Sequence, residues 1–339
     1  MKAVGLYRYL PIDHPEALLD VALPDPIPGP HDVLVAIRAI AANPVDYKVR
    51  APKDHVEAMP KVLGWDAAGV VQAVGSAVSL FKPGDEVYYA GDLTRQGSNA
   101  ELQLVDERII GRKPVSLSFE QAAALPLTTI TAWEVLFDRL GIAQSAEANR
   151  GRSILILGGA GGVGSIAIQL AKRVAGLQVV ATASRPDSAA WCRDFGADET
   201  VNHFADMPAQ FRERGLPAPD YILCLSDTDL HFAAMAELIK PQGKIASIVE
   251  TTQPVALNLL KGKSASFHWE LMFTRSLHQT DDMIEQHRLL NQVADLIDKG
   301  TLRTTLGEVI RPINAANLKL AHAKLEAGRA IGKIVLSGF

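Results

Sequence analysis

Through the middle of the chain, short unbroken apolar blocks alternate with stretches where apolar residues recur every three to four positions. The first block, SILIL at 153–157, reads as a buried strand, and Ile166, Ile168, Leu170 and Ala171 follow at helical spacing within 165–173. The same alternation predicts strands at 154–157, 178–183, 199–202, 221–225, 244–249 and 265–268, with helices near 163–175, 186–195 and 229–239. Strand followed by helix, repeated, specifies a parallel, doubly wound α/β sheet.

Residues 1–125 follow a shorter rhythm. Strands are predicted at 2–9, at 32–39 where apolar and polar residues alternate, and at 101–105. The segment 62–74 reads as a strand pair interrupted by Gly64 and Gly69, and the Pro-Gly-Asp turn of 82–89 feeds a further strand. Pro24, Pro26, Pro28 and Pro30 make 23–30 a connecting loop. Short strands punctuated in this way suggest a barrel or sandwich. Helices are expected at 119–124 and 131–140, with Pro126 between them, and at 281–299, where Met283, Ile284, Leu289, Leu290, Val293, Leu296 and Ile297 form the apolar face. The elements 307–310, 315–327 and 333–336 are expected to return to the first domain.

Between the strand and helix of 153–173 stand Gly158, Gly159, Gly161, Gly162 and Gly164. Gly159, Gly161 and Gly164 match G-x-G-x-x-G in the strand–turn–helix context that a dinucleotide fingerprint requires. The same glycines would also serve a tight turn. As a fingerprint, Gly159, Ala160, Gly161, Gly162, Val163 and Gly164 would hold the diphosphate at the start of the helix.

Bulk properties narrow the function class. The 339 residues favour two domains, and 48% hydrophobic with 21% charged residues is close to average for a globular chain. A net charge of −4 gives no support for nucleic-acid binding. Cys192 and Cys224 are the only cysteines, too few for a disulfide framework or a four-thiolate zinc site. The first residues carry scattered charge rather than a signal-peptide core, and no apolar run is long enough to span a membrane. A cytoplasmic enzyme is the expectation.

ANPVDYKVR (42–50), LGWDAAGVVQAVG (63–75), KPGDEVY (82–88), AALPLTTITAWEVL (123–136), LILGGAGGVG (155–164), GAD (196–198), PQGKI (241–245) and GKIVL (332–336) occur in the order and spacing of one family. The chain resembles the medium-chain dehydrogenase/reductase superfamily over essentially its full length, and within it the zinc-free quinone oxidoreductase branch. DERIIG, LFDRL and WELMFTR are similar to a subgroup often labelled zinc-type alcohol dehydrogenase-like. The resemblance implies a GroES-like β-barrel catalytic domain, 1–127 with 273–339, and a Rossmann NADP-binding domain, 128–272, with the active site in the cleft.

The resemblance also supplies a test for zinc, which needs three ligands such as Cys, His and Cys or Glu and one open position. The family's first ligand, a Cys, falls near Ala42 and Asn43, and its Gly-His-Glu is Gly64-Trp65-Asp66 here. Around Thr128–Thr131, where the third would fall, there is no Cys, His or carboxylate, and residues 90–112 lack the cysteines of a structural zinc lobe. Asp46 and Asp66 alone make a poor zinc site, so no metal is expected. Trp65 would instead wall a pocket for a flat, apolar substrate, with Phe267 and Trp269.

At the end of the second strand, where NAD enzymes carry an acid, the chain reads Ala181-Thr182-Ala183-Ser184-Arg185. Ser184 and Arg185 would meet the 2′-phosphate of NADPH, although the lysine that relatives often carry a few residues on is missing. By resemblance, His203 lies near the adenine, and Lys48, Phe267, Lys333 and Thr128 lie at the cofactor. Thr128 and Thr129 could equally cap a helix beginning near Thr131. Asn43, Asp46 and Tyr47 are implied to line the catalytic site. Tyr47 would donate a hydrogen bond to a carbonyl oxygen, since a phenol at neutral pH is a donor rather than a base.

The expected function is NADPH-dependent hydride transfer to quinones or α,β-unsaturated carbonyl compounds, in a homodimer joined through the edge strand at 265–268. A zinc-dependent alcohol dehydrogenase is the rival enzyme. An NADPH-binding sensor or structural protein with little turnover is the rival of another class.

Overall fold

The computed structural model describes residues 1–339. The amino-terminal part runs β1 (Lys2–Tyr9), β2 (Leu19–Ala22), β3 (Asp32–Ala42), α1 (Pro44–Arg50), β4 (Lys53–Val62), β5 (Ala67–Val74), β6 (Glu86–Tyr89), β7 (Leu102–Asp106), β8 (Ile110–Arg112), α2 (Phe119–Ala123) and α3 (Pro126–Trp133). Then come β9 (Ser153–Leu157), α4 (Gly162–Gln169), β10 (Gln178–Thr182), α5 (Pro186–Phe195), β11 (Glu199–Val201), α6 (Met207–Glu213), β12 (Tyr221–Cys224), α7 (Thr228–Leu238), β13 (Lys244–Ser247), α8 (Asn258–Lys261) and β14 (Ser266–Trp269). The chain ends with α9 (Thr274–His278), α10 (Glu285–Asp298), β15 (Leu306–Ile310), α11 (Ala315–Glu326) and β16 (Lys333–Ser337). Two units form: Met1–Ile130 with Phe273–Phe339, and Thr131–Met272.

The second unit is a six-stranded sheet ordered β11-β10-β9-β12-β13-β14, every neighbouring pair parallel. This is the Rossmann order, with its reversal beside β9. Every residue of β9 is buried, as a central strand covered on both faces requires. Leu155, Leu157, Val180, Ile222, Phe232 and Ile245 pack into the core, and Phe267 closes against it from the edge strand.

The first unit has the GroES-like character expected, as two open sheets rather than a closed ring. One is β2-β1-β4; the other is β15-β16-β3-β5-β6-β8, with β7 also paired to β3. The carboxy-terminal segment is tied into this unit, since Tyr88 Oη donates to the Leu290 carbonyl at 2.6 Å and β16 pairs antiparallel with β3. No helix of the protein is long and apolar enough to cross a membrane.

Three local expectations are corrected. The segment 62–74 is not a strand pair: β4 ends at Val62, Leu63–Asp66 is irregular, and β5 runs unbroken through Gly69. Gly69 is there for close approach, because a Cβ would stand 2.3 Å from the Ala36 carbonyl oxygen of β3. Pro126 stands at the junction of the two helices, but the second begins at Pro126 rather than near Thr131: Pro126 opens α3, where its missing N–H costs nothing. The helix then continues past Trp133 as a π-helical segment, Glu134–Arg139. The helix expected at 281–299 begins only at Glu285.

Candidate functional site

In the second unit, β9 ends at Leu157 and the chain turns at Gly158, whose φ of +83° favours glycine. The Gly158 N–H donates to Thr182 Oγ1 at 2.9 Å and the Gly159 N–H to the Thr182 carbonyl at 3.1 Å, which ties the turn to the end of β10. A Cβ at Gly159 would lie 2.8 Å from Ala181 Cβ, and one at Gly164 would lie 2.4 Å from the Gly158 carbonyl oxygen. Those two glycines are demanded by packing. Gly161 is not, since a Cβ there would meet only the Gly158 oxygen, at 3.5 Å.

Gly161 is the N-cap of α4, and the first helical bond runs from Ser165 N–H to the Gly161 carbonyl at 2.9 Å. The N–H groups of Gly162, Val163 and Gly164 precede it and have no partner within the helix. With the Cβ side of Gly161 open, these helix-start donors are the groups that could hold a diphosphate.

At the end of β10, Ser184 and Arg185 are partly exposed. Arg185 Nε stands 3.4 Å from the Asp187 carboxylate, so an acid does lie beside the cation. The chain stretch 181–185 alone did not reveal it. His203 lines an open cavity of about 380 Å³ with His231, Asp206 and Glu237. Its ring lies 4.3 Å from Phe204 and edge-on to His231 at 5.8 Å, and burial pushes its pKa below the ordinary value. Phe267 packs on Phe232 at 5.9 Å and on Trp269 at 5.0 Å, while Trp269 is half exposed.

In the first unit, Asn43, Asp46, Asp66 and Lys333 form one buried polar cluster. Asn43 is the N-cap of α1, and its backbone N–H donates to Asp46 Oδ2 at 2.7 Å. The Asn43 amide donates to Asp66 Oδ2 at 2.8 Å. Lys333 Nζ donates to Asp66 Oδ2 at 2.8 Å, to the Ala42 carbonyl at 3.0 Å and to Asn43 Oδ1. Asp66 Oδ1 accepts the Leu127 N–H at 2.8 Å, at the first turn of α3, where a helix favours an anion. Burial raises the pKa of Asp66; Lys333 and the N–H donors offset part of that. Burial pushes Asp46 up to about 7, and its Oδ1 has no hydrogen-bond partner.

Several expected site residues are placed differently. An ammonium has three donors, and Lys333 spends all three inside this cluster, which leaves none for a cofactor. Thr128 turns its hydroxyl onto the Leu125 carbonyl at 3.1 Å, just before α3 begins. Neither Thr128 nor Thr129 caps a helix starting near Thr131, because α3 begins at Pro126. It is the buried Thr129 hydroxyl that lacks a partner. Trp65 is no open pocket wall: it is wholly buried, its indole N–H donates to the Asp92 carbonyl at 3.2 Å, and its ring meets Phe273 edge-on at 6.4 Å. Tyr47 is half-buried and Lys48 exposed on α1.

The cluster does not fit zinc. The positions of the family ligands hold an amide at Asn43 and an indole at Trp65, and the Asp66 carboxylate is already taken by an ammonium. The sequence marks Asp66 only as a carboxylate near the zinc-ligand positions; its partner Lys333 is 267 residues away along the chain.

Comparison with known proteins agrees with this architecture. Residues 29–125 match the family model of the alcohol dehydrogenase GroES-like domain, and residues 195–336 match that of the zinc-binding dehydrogenases. A zinc-type alcohol dehydrogenase-like protein of Staphylococcus epidermidis is 43% identical over 338 residues, covering 99% of each chain. The 2-methylene-furan-3-one reductase of Solanum lycopersicum is 41% identical over 225 residues, covering 62% of this chain and 55% of its own. The crystal structure of a candidate zinc-dependent alcohol dehydrogenase from Rhizobium etli superposes with a TM-score of 0.95 at 51% identity, covering 100% of this chain and 98% of that one. With both family models matched in order and relatives aligned from end to end, the chain belongs to the medium-chain dehydrogenase/reductase superfamily of oxidoreductases.

Proposed function

We propose that this oxidoreductase uses NADPH to reduce quinones or α,β-unsaturated carbonyl compounds without a catalytic metal. The observation that carries the reading is the Lys333 ammonium, bonded to Asn43 at a family ligand position and to Asp66 beside Trp65, which holds another. Without a metal, a saturated alcohol has no Lewis acid to lower its alkoxide pKa, and these residues do not fit one, which argues against ordinary alcohol oxidation. A conjugated carbonyl needs only a hydride donor and a hydrogen bond to the oxygen where charge develops.

NADPH would supply the hydride when bound. The N–H groups of Gly162, Val163 and Gly164 would hold its diphosphate beside Gly161, and Ser184 and Arg185 its 2′-phosphate. His203, just after β11, would flank the adenine, while Phe267, on β14 at the other edge of the sheet, would meet another part of the cofactor. Tyr47 on α1 would donate to the developing oxyanion, with solvent completing the protonation. Asn43 and Asp46 fix the start of α1, and with it Tyr47, through the Asn43 N–H bond to Asp46. The tomato relative, named for reduction of a 2-methylene ketone, supports the conjugated-carbonyl class. The position of β14 at the edge of its sheet supports a homodimer formed by pairing of that edge.

The test is NADPH oxidation across quinones, enones and saturated aldehydes, with elemental analysis of the same sample. Turnover with the first two classes and without stoichiometric zinc supports the reading. Turnover confined to saturated aldehydes, or activity that follows zinc content, refutes it. Binding of NADPH without turnover on any of the three would favour a sensor.

A further inference from the structure

The glycine loop is held by a side chain from the next helix. Trp191 Nε1 of α5 donates to Ser165 Oγ at 2.8 Å, and Ser165 Oγ donates to the Gly161 carbonyl at 2.7 Å. Indole has a donor and no acceptor, so the direction of this chain is fixed: Trp191 to Ser165 to Gly161. The indole ring is itself stacked on Phe195, one helical turn on, with centroids 4.6 Å apart and planes 24° apart.

The Gly161 carbonyl thus accepts two bonds from one residue, the Ser165 N–H at 2.9 Å and the Ser165 hydroxyl. In a trans peptide the C=O of one residue and the N–H of the next point in opposite directions. Holding the Gly161 carbonyl down the axis of α4 therefore aims the Gly162 N–H out of the helix start. That N–H is one of the three free donors there. A Cβ at Gly161 would meet only the Gly158 oxygen, at 3.5 Å, so no close packing on that side holds the residue in place.

We infer that Trp191 is a positioning residue for the dinucleotide diphosphate, acting through Ser165 to orient the Gly161–Gly162 peptide. The inference rests on the reading of the loop as the diphosphate site. Neither Trp191 nor Ser165 touches the ligand in this scheme; they set the direction of a donor that does. The second strand–helix unit thereby organises the anion site of the first.

The experiment is titration of the full-length protein with NADPH, followed by nicotinamide emission so that no turnover is needed. Trp191→Phe keeps the ring on Phe195 and removes the N–H; Ser165→Ala removes the relay; Ser165→Thr keeps a hydroxyl. One neutral hydrogen bond sets the scale, so the first two variants should each raise Kd about three- to tenfold. Ser165→Thr should stay within about twofold of the parent, and adding Trp191→Phe to Ser165→Ala should change Kd by less than about twofold. In steady state, KM for NADPH should rise while kcat at saturating cofactor changes little, a split that general loosening of the fold would not give. An unchanged Kd in Trp191→Phe, or an equal effect of that change with and without the Ser165 hydroxyl, overturns the inference. A parent protein that binds neither NADPH nor NADH overturns the cofactor reading itself, and this inference with it.

Discussion

Lys333 Nζ lies 2.8 Å from Asp66 Oδ2, both side chains sealed from solvent, β16 bringing one and the segment before β5 the other. A buried ion pair need not be more stable than an apolar pair of the same volume, but removing one partner leaves the other charge unpaired. Lys333→Met should therefore destabilise the protein by about 3–5 kcal/mol. Adding Asp66→Asn should restore part of the loss, because no charge then remains without its counterion. Urea denaturation of the two variants reads this directly. A single variant as stable as the parent would mean that Asp66 sheds its charge at little cost.

His322 on α11 is one source of acid sensitivity. It is buried, neither ring nitrogen has a hydrogen-bond partner, and burial with the nearby Arg50 charge pushes its pKa down to about 3. The unfolded chain takes up a proton near the usual histidine pKa while the folded one does not. Stability contributed by the neutral ring is complete above that pH and is lost as pH falls towards 3. The loss amounts to at most about 1.4 kcal/mol per pH unit. Over the same range Asp46, raised to about 7, works in the opposite direction, so the comparison is with the parent: His322→Leu should raise the thermal midpoint at about pH 5 relative to that at about pH 7. An equally steep fall in the variant would assign the acid sensitivity elsewhere.

Much of the fold could be read from the chain because its signals are local. The strands of the second unit follow from apolar blocks at the right spacing, and β9 and the glycine loop are contiguous. β4 was missed because its residues, KDHVEAMPKV, are largely polar and exposed on an edge, so no face alternates. The cluster around Lys333 was out of reach for another reason. Its ammonium meets Asn43 across 290 residues, and nothing near GKIVL says whether that lysine faces solvent or a carboxylate. The bond from Trp191 to Ser165 crosses 26 residues, and an isolated tryptophan in a helix carries no signal of its donor's target.

The glycine loop separates packing from ligand approach. Gly164→Ala would force a Cβ to 2.4 Å from the Gly158 backbone oxygen, which cannot move without breaking the turn. It should cost about 1–3 kcal/mol and lower the thermal midpoint. In Gly161→Val the added Cβ meets nothing closer than 3.5 Å, and the variant should fold with near-parent stability while losing nicotinamide cofactor binding by more than about tenfold. Thermal melts and cofactor titration on both variants distinguish the two effects. Unchanged affinity in a folded Gly161→Val protein would remove the diphosphate from this loop.

Cofactor choice turns on Arg185 and its neighbour. The Asp187 carboxylate lies 3.4 Å from Arg185 Nε, and both side chains are more than a third exposed. Exposed pairs of this kind are worth about 0–1 kcal/mol, whereas charge-assisted hydrogen bonds to a phosphate are worth roughly 1.5–3 kcal/mol. The guanidinium should therefore leave Asp187 for a 2′-phosphate, at the cost of part of its discrimination. Arg185→Ala should lower kcat/KM for NADPH about 10- to 100-fold more than for NADH. Ser184→Asp should reverse the preference by repelling the phosphate and offering the ribose diol an acceptor. Asp187→Ser should sharpen the preference for NADPH by removing the competing carboxylate. All three are compared at one fixed salt concentration, since added salt screens these contacts. Equal losses for both cofactors on Arg185→Ala would show that Arg185 does not read the phosphate, and a parent that prefers NADH would overturn the choice of NADPH.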